Sequence, residues 1–310
     1  MEQVYTPKQD YKVFVRCNTF NQSQYIEDAL DGFAMQQTNF PFVCMVMDDC
    51  STDGEQNVIK AWMGRECDME KAEYAEIELS HIILVPHKSN KSCTFAFYLL
   101  KRNTWKEREL KTSMYEPWRN RCEYEAICEG DDYWIAEDKL QMQVDFLDSH
   151  PDCGLCITNV RAYKQVNDLF IYSFLDPKSY RLTNYEDYVS KTPYLLPCTW
   201  CYRRSALNAV SGTFKMGDLP LFLGIITNGY TFHFEDIETA VYRILPNSAS
   251  HFNSLEKQLV FSDSAMDCKL AYAERLGYHV GKKTATNSMK YLVTLAVICN
   301  SKVHIEKYRG

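Results

Sequence analysis

The sequence lacks an apolar run long enough to cross a bilayer. The longest candidate, YLVTLAVIC (Tyr291–Cys299), has nine residues. A spanning helix needs about 20, so this stretch reads as a buried helix face. The opening decapeptide, MEQVYTPKQD, has no apolar core of the kind that marks a secretory leader, and none is expected. Basic residues are in deficit: 34 Lys and Arg stand against 41 Asp and Glu, for a net charge of -7 and a pI near 5.6. That makes the chain a poor candidate for a nucleic-acid binder, which normally carries a basic face. No internal repeat and no low-complexity segment interrupts the chain. The turn after the first predicted strand, RCNTFNQSQ, contains no glycine, so no glycine-rich phosphate loop starts there.

What is present is apolar and cysteine-rich. Hydrophobic residues make up 46% of 310 positions, enough to bury a sizeable core in one large domain or one domain with an appendage. The thirteen cysteines are odd in number and spread through apolar segments. That favours reduced, buried thiols in a cytosolic protein over a disulfide framework. Two C-x-x-C pairs, Cys153/Cys156 and Cys198/Cys201, invite a zinc reading. But CGLCITNV looks like a strand, where positions i and i+3 face opposite sides. Core cysteines are the expectation.

The first half alternates strand and helix signals. KVFVRC (Lys12–Cys17) is a β-branched and aromatic run. Gln24–Gln37 carries apolar residues at helical spacing. FPFVCMVM (Phe40–Met47) is continuously apolar and ends at Asp48-Asp49, as in a strand buried on both faces. Thr52-x-x-Glu55 predicts a capping box opening a helix toward Trp62. HIILVP (His81–Pro86) reads as a third strand and YEAICEG (Tyr124–Gly130) as a fourth. Ala136–Leu147 has a helical stripe. This alternation implies an α/β fold with a parallel sheet. The second half is less regular. Gly154–Val160, Leu169–Phe174 and Thr231–Leu245 read as strands, the last as one or two. Met216–Thr227 reads as a helix. The chain from Phe252 onward looks helical, with a break near Gly277–Gly281.

Both acidic pairs, Asp48/Asp49 and Asp131/Asp132, sit where predicted strands end. In parallel sheets ligands bind at those ends. Glu129, Asp131 and Asp132 crowd one turn, and such carboxylates repel each other. A solvated turn would screen the repulsion. A divalent cation would reward it, because hard cations take oxygen ligands. The coincidence of the two pairs favours a shared site. Apart from these, Lys101–Arg121 holds seven Lys and Arg against three Glu, with Trp105, Tyr115 and Trp118 interleaved. It reads as a solvated helix-loop insertion or as a surface for an anionic diphosphate or a membrane.

Taken together, VFVRCNTFN, QYIEDALDGFAMQQTNFPF, VMDDCSTDG, CEGDDYW and DKLQMQVDFL resemble the family 2 glycosyltransferases. The likeness extends through FKMGDLPLFLGII and YRILPNSASH and covers roughly residues 11–251. It implies a GT-A fold: a Rossmann-like, mostly parallel central sheet flanked by helices. Here it would span 1–251, with a nucleotide-sugar half at about 11–150, an acceptor half at about 151–251 and a helical extension over 252–310. It implies that Asn18, Thr19, Phe20 and Asn21 hold the nucleotide. Asp49 would accept a hydrogen bond from the base, typically uracil. Asp131 would contact the donor, and Asp131 and Asp132 would hold a divalent cation, Mn2+ or Mg2+. Asp218 matches the position of the catalytic base. Members often place a His directly after YR-x. This chain has Leu245 there, and His251, six residues on, is a candidate metal or phosphate contact. Cys50 stands where the family usually has Gly or Ala. HKSNKSCTF has Asn90 after the third strand but no following glycine.

The implied activity is an inverting, metal-dependent transfer of a sugar from a nucleotide-diphosphate donor, typically a UDP-sugar, to a hydroxyl of a glycan or lipid-linked acceptor. Family analogy points to surface polysaccharide synthesis, in the cytoplasm or peripherally at the inner face of the membrane. The acceptor is expected to be shaped by Arg161–Pro197 and the helical tail. A sugar nucleotidyltransferase is disfavoured by the missing glycines. The alternative from another class is a catalytically inactive nucleotide-sugar-binding or scaffold protein of the same fold.

Overall fold

The computed structural model describes residues 5–175, 182–191, 196–210, 212–246, 254–278 and 282–308. Its centre is built from strands that alternate with helices. In chain order these are β1 (Tyr11–Thr19), α1 (Ile26–Ala34), β2 (Phe42–Asp48), α2 (Glu55–Glu66), β3 (Glu73–Glu76), β4 (Ser80–Pro86), β5 (Cys93–Leu100), α3 (Arg108–Arg119) and β6 (Cys122–Ile127). The second half adds β7 (Tyr133–Trp134), α4 (Lys139–Ser149), β8 (Cys153–Lys164), β9 (Leu169–Ile171), α5 (Tyr185–Lys191), β10 (Trp200–Arg203), α6 (Asp218–Ile226) and β11 (Tyr230–Ile244). Three helices follow: α7 (Leu255–Leu276), α8 (Lys282–Ile298) and α9 (Lys302–Lys307).

One sheet contains every one of these strands. Its order is β3-β4-β5-β2-β1-β6-β10-β8-β11-β7, with β9 paired to β8. The block β5-β2-β1-β6 is parallel, and so is the β8–β11 pair. The flanks and β10 are antiparallel. The sheet is therefore partly parallel rather than mostly so. All seven residues of β2 are buried, as its unbroken apolar run predicts. Burying each large side chain there is worth about 1.5–3 kcal/mol.

Two local expectations are corrected, and one left open is settled. The third parallel strand is β5, which the sequence reading missed. HIILVP forms β4, antiparallel to β5. The Asn90 loop therefore lies between β4 and β5, level with the start of β2, at the opposite end of the sheet from the acidic pairs. There Asn90 Nδ2 donates to the carbonyls of Ala34 and Gln36. The Thr52–Glu55 capping box does not form. Gly54, in the left-handed region at φ 90°, caps α2, and Glu55 is its first residue. The Glu55 side chain reaches instead to the end of β1. Thr231–Leu245 is one strand, β11, with its register against β8 shifted between Phe234 and Glu238 and again before Ala240.

The thirteen cysteines are all unpaired, ten of them buried. Cys156 and Cys201 are register partners on β8 and β10, inside the main core. The C-terminal helices dock through α7. Tyr272 donates to the Pro220 carbonyl at 2.6 Å and accepts from Val210 N at 3.1 Å.

Candidate active site

The parallel block aims the ends of β1, β2, β5 and β6 at one side. Thr19 lies level with Asp48 across β1–β2, and Asp48 with Leu99 across β2–β5. The turn after β6 arrives beside them, where Gly130 N donates to the Asn18 carbonyl at 3.0 Å. A Cβ on Gly130 would collide with the Thr19 and Gln22 side chains, so the close approach requires glycine. Asn18, Thr19, Asp48, Asp49, Glu129, Asp131 and Asp132 thus converge. His251 lies outside the described residues.

The floor is a hydrogen-bonded net. Asn18 N donates to Glu129 Oε2 at 2.9 Å, and Tyr115 OH donates to Asn18 Oδ1. Thr19 Oγ1 donates to Glu55 Oε1, while Gln22 N and Ser51 Oγ donate to Glu55 Oε2 at 2.9 and 2.8 Å. Phe20, at the tip of the turn, is exposed. Asn21 adopts φ 55°, and its Oδ1 accepts from Thr52 N at 2.7 Å. Cys50 also lies in the left-handed region, at φ 62°. Glycine suits that conformation best, and a cysteine there carries a backbone cost. Asp48 is fully buried. Its Oδ1 accepts from Gln56 Nε2 at 2.6 Å and Ser51 N at 3.1 Å, and its Oδ2 has no hydrogen-bond partner among the described residues. It orients the loop that follows β2.

Asp49 is held by residues that local sequence patterns did not single out. Its Oδ1 accepts from Thr104 N and Thr104 Oγ1, both at 2.7 Å. Its Oδ2 accepts from Lys111 Nζ at 2.8 Å. The Lys101–Arg121 segment is therefore neither a solvated insertion nor a membrane surface throughout. Its inner side walls the site through Thr104, Lys111 and Tyr115. Arg119 turns inward and makes a two-pronged pair with Glu125 of β6, at 2.9 Å on each arm. Arg16 joins that pair at 3.1 Å. Burial pushes the Glu125 carboxyl up, but Arg119 and Arg16 outweigh it and leave it below the usual value. Trp118 is buried and donates to Tyr98 OH at 2.8 Å. Trp105 stays exposed, with Lys111 over its ring at 5.8 Å.

The acidic turn is clamped from the far side. Arg243, on β11, donates from its backbone N to Asp132 Oδ1 at 2.9 Å and from Nη1 to the Asp131 carbonyl at 2.7 Å. Its Nη2 pairs with Asp28 of α1. The guanidinium lies over the Tyr133 ring at 4.5 Å and the Tyr25 ring at 5.0 Å. Arg243 sits in the YRILPNSASH stretch, but no local signal assigns it this role. Burial raises the carboxyl pKa of Asp131 and, aided by the charge of Asp131, raises that of Asp132 well above normal. Burial also raises Glu129. A cation beside these groups would favour their charged forms.

Among the described residues no group of three or more His, Cys, Asp or Glu is assembled as a ligand set. Mg2+-like ions are commonly held by one or two carboxylates with substrate phosphates and water completing the shell. Two neighbouring carboxyls, of which Asp131 is the more accessible, fit that pattern. Asp218 opens α6, exposed, with its Oδ1 accepting from its neighbour Leu219 N at 2.9 Å, while Gly217 takes the capping position. One turn on, Phe222 packs against Trp200, which opens β10 level with Ile157 in the middle of β8 and beside the carboxyl end of β6. The other end of α6 reaches Gly154 at the start of β8. Asp218 therefore stands at the same end of the sheet as the acidic turn.

No family model matches the chain. Over 144 residues it is 34% identical to an uncharacterized protein of Mycobacterium tuberculosis and to one of Mycobacterium bovis. That match covers 46% of this chain and 34% of each relative, so the chain spans about a third of the length of the curated relatives it matches. Among solved structures it is similar to TarS of S. aureus in complex with UDP-GlcNAc (TM-score 0.55, 16% identity, 92% of this chain and 71% of that one). It is also similar to a mannosyltransferase of Pyrobaculum calidifontis in complex with GDP-Man and Mn2+ (TM-score 0.50, 13% identity, 98% of this chain and 84% of that one). The chain has the GT-A glycosyltransferase fold, and no helix among the described residues is long and apolar enough to cross a membrane.

Proposed function

We propose that this protein is an inverting, divalent-cation-dependent glycosyltransferase. It would move a sugar from a nucleotide-diphosphate donor, by preference a UDP-sugar, to a hydroxyl of a glycan or lipid-linked acceptor in surface polysaccharide synthesis. The observation that carries the reading is the convergence of Asn18–Thr19, Asp48–Asp49 and the Glu129–Asp132 turn at the carboxyl ends of β1, β2 and β6. The similar solved structures hold UDP-GlcNAc and, in another case, GDP-Man with Mn2+.

In this reading the Asn18–Asn21 turn and Asp49 receive the nucleoside. Asp131 and Asp132 hold the cation, and Arg243 fixes the turn that presents them. A bound cation supplies charge neutralisation to the departing diphosphate. Asp218 takes the proton from the acceptor hydroxyl as it attacks the anomeric carbon, and a single separate carboxylate of this kind fits inversion.

The test is release of nucleoside diphosphate from a panel of UDP- and GDP-sugars, with Mn2+ and with chelator. Cation-dependent release from at least one donor is expected. An inactive binding or scaffold protein would shift its melting temperature with nucleotide yet release nothing.

A further inference from the structure

We infer that the hairpin of β8 and β9 is a stacking ledge for the acceptor, and that the acceptor is a chain of several sugar rings. The inference rests on the glycosyltransferase reading and deepens it. The ledge is defined by side chains on one face of the sheet. Tyr163 and Phe170 are register partners, with ring centroids 4.6 Å apart. Phe170 and Tyr172 follow at 6.2 Å, and the Arg161 guanidinium lies over the Tyr172 ring at 5.1 Å. Tyr172 is 62% exposed and Phe170 39%. Large rings left this open, and grouped, mark a binding surface more often than chance exposure does.

The register carries the ledge to the acidic turn. Tyr163 pairs with Arg243, and Arg161 pairs with Val241, which in turn pairs with Tyr133. Register partners point to the same face. Two rows therefore cross the sheet. One runs Tyr172, Arg161, Val241, Tyr133, and the other runs Phe170, Tyr163, Arg243. The second ends at Arg243, which grips Asp131 and Asp132, and the first passes buried Val241 to end at Tyr133, whose ring lies under the Arg243 guanidinium. Three strand spacings separate Tyr172 from Tyr133, roughly 15 Å at about 4.8 Å per strand. That distance suits a chain of rings rather than a single one.

The chemistry selects a saccharide. Its ring faces are lined with C–H groups and stack on aromatic rings, while its hydroxyls need donors and acceptors at the edges. Arg161, held by Glu238 at 2.6 Å, and the Tyr163 hydroxyl, bonded to Asp168 at 2.7 Å, lie at those edges. Ser173 N also donates to Glu238, at 2.5 Å, which fixes the bend after β9 that carries Tyr172. An apolar partner such as a lipid tail would strip water from these polar groups and offer them no bond in return.

The test is a glycan array of oligosaccharides from two to six residues, probed with the full chain and with a Phe170→Ala/Tyr172→Ala double variant. Both positions are exposed, so folding should be retained. The wild type is expected to bind a subset of the array more tightly as length increases beyond two rings, and the double variant to lose about tenfold or more. UDP affinity in Mn2+ should be equal in the two proteins. The inference is overturned if no array member binds, if the double variant binds equally, or if what it loses is association with phosphatidylglycerol vesicles instead. Failure of the wild type to release diphosphate from any UDP- or GDP-sugar, with glycan binding intact and lost in the variant, would overturn the enzyme reading and leave the ledge standing.

Discussion

Asp49 and Lys111 meet at 2.8 Å although 62 residues separate them in the chain. The pair closes α3 over the end of β2, and Thr104 completes the Asp49 carboxylate from the loop between. A base N–H can approach Asp49 only by sharing Oδ2 with the lysine. The wall of the proposed nucleotide pocket and the proposed base contact are thus a single structural unit.

Replacing Lys111 with Met should therefore weaken the fold, because it strips a buried carboxylate of a charged partner. A loss on the order of 1–3 kcal/mol is expected. Lys91→Met, at an exposed position, should change stability by less than about 0.5 kcal/mol. Urea denaturation of both variants checks this. Equal midpoints would mean the Asp49–Lys111 pair contributes nothing measurable.

Arg119 and Arg121 should behave differently under the same substitution. Arg119 pairs with the fully buried Glu125, whereas Arg121 reaches exposed Asp10 at 3.1 Å. Arg119→Gln should cost about 1–3 kcal/mol, because it strips two charge-assisted bonds from buried Glu125 and leaves only Arg16 and Arg204 beside it. Arg121→Gln should stay within about 0.5 kcal/mol. Chemical denaturation separates them, and similar losses would contradict the assignment.

Much of the site was legible from local signals, and what was missed had none. Strand ends marked by Asp48-Asp49 and Asp131-Asp132 are local features, so the convergence of the two pairs could be anticipated. The partners of Asp49, Asn18 and Asp132 lie 55, 97 and 111 residues away. Nothing in the spacing of Thr104, Tyr115 or Arg243 announces those contacts. β5 escaped because CTFAFYLL is a short, continuous apolar run, which periodicity cannot assign. Glu55 matched a capping box, yet tertiary partners on β1 captured its side chain first. Lys101–Arg121 looked solvated by composition, but its inward residues alternate with outward ones on a helix that the sequence alone does not orient.

His233 sets an acid limit on stability. Burial lowers its pKa to about 4, below the usual 6.5. The native state then binds fewer protons than the unfolded chain between those values. The stability it contributes is present above pH 6.5 and is lost as the pH falls toward 4. The decline over this window should be shallower in His233→Gln. Parallel curves for wild type and variant would show that another group governs it.

Asp218→Asn should fold normally, since Asp218 is exposed at the first position of α6 and Gly217 caps that helix. Donor affinity should be unchanged, and sugar transfer should fall by about 10²–10⁴-fold because the proton acceptor is gone. Transfer and UDP-sugar binding measured on the same variant check this. Near wild-type turnover would remove Asp218 from the chemistry and direct attention to Glu235, Asp236 and Glu238.

The cation role of the acidic turn is tested most directly by titrating UDP calorimetrically into wild type and Asp132→Asn, each with Mn2+ and with chelator. The wild type should bind UDP in Mn2+ and lose most of that affinity in chelator. Asp132→Asn should show no Mn2+ effect, while its ligand-free melting temperature holds or rises because like-charge crowding with Asp131 is relieved. Equal UDP affinity in Mn2+ for the two proteins would contradict the metal site.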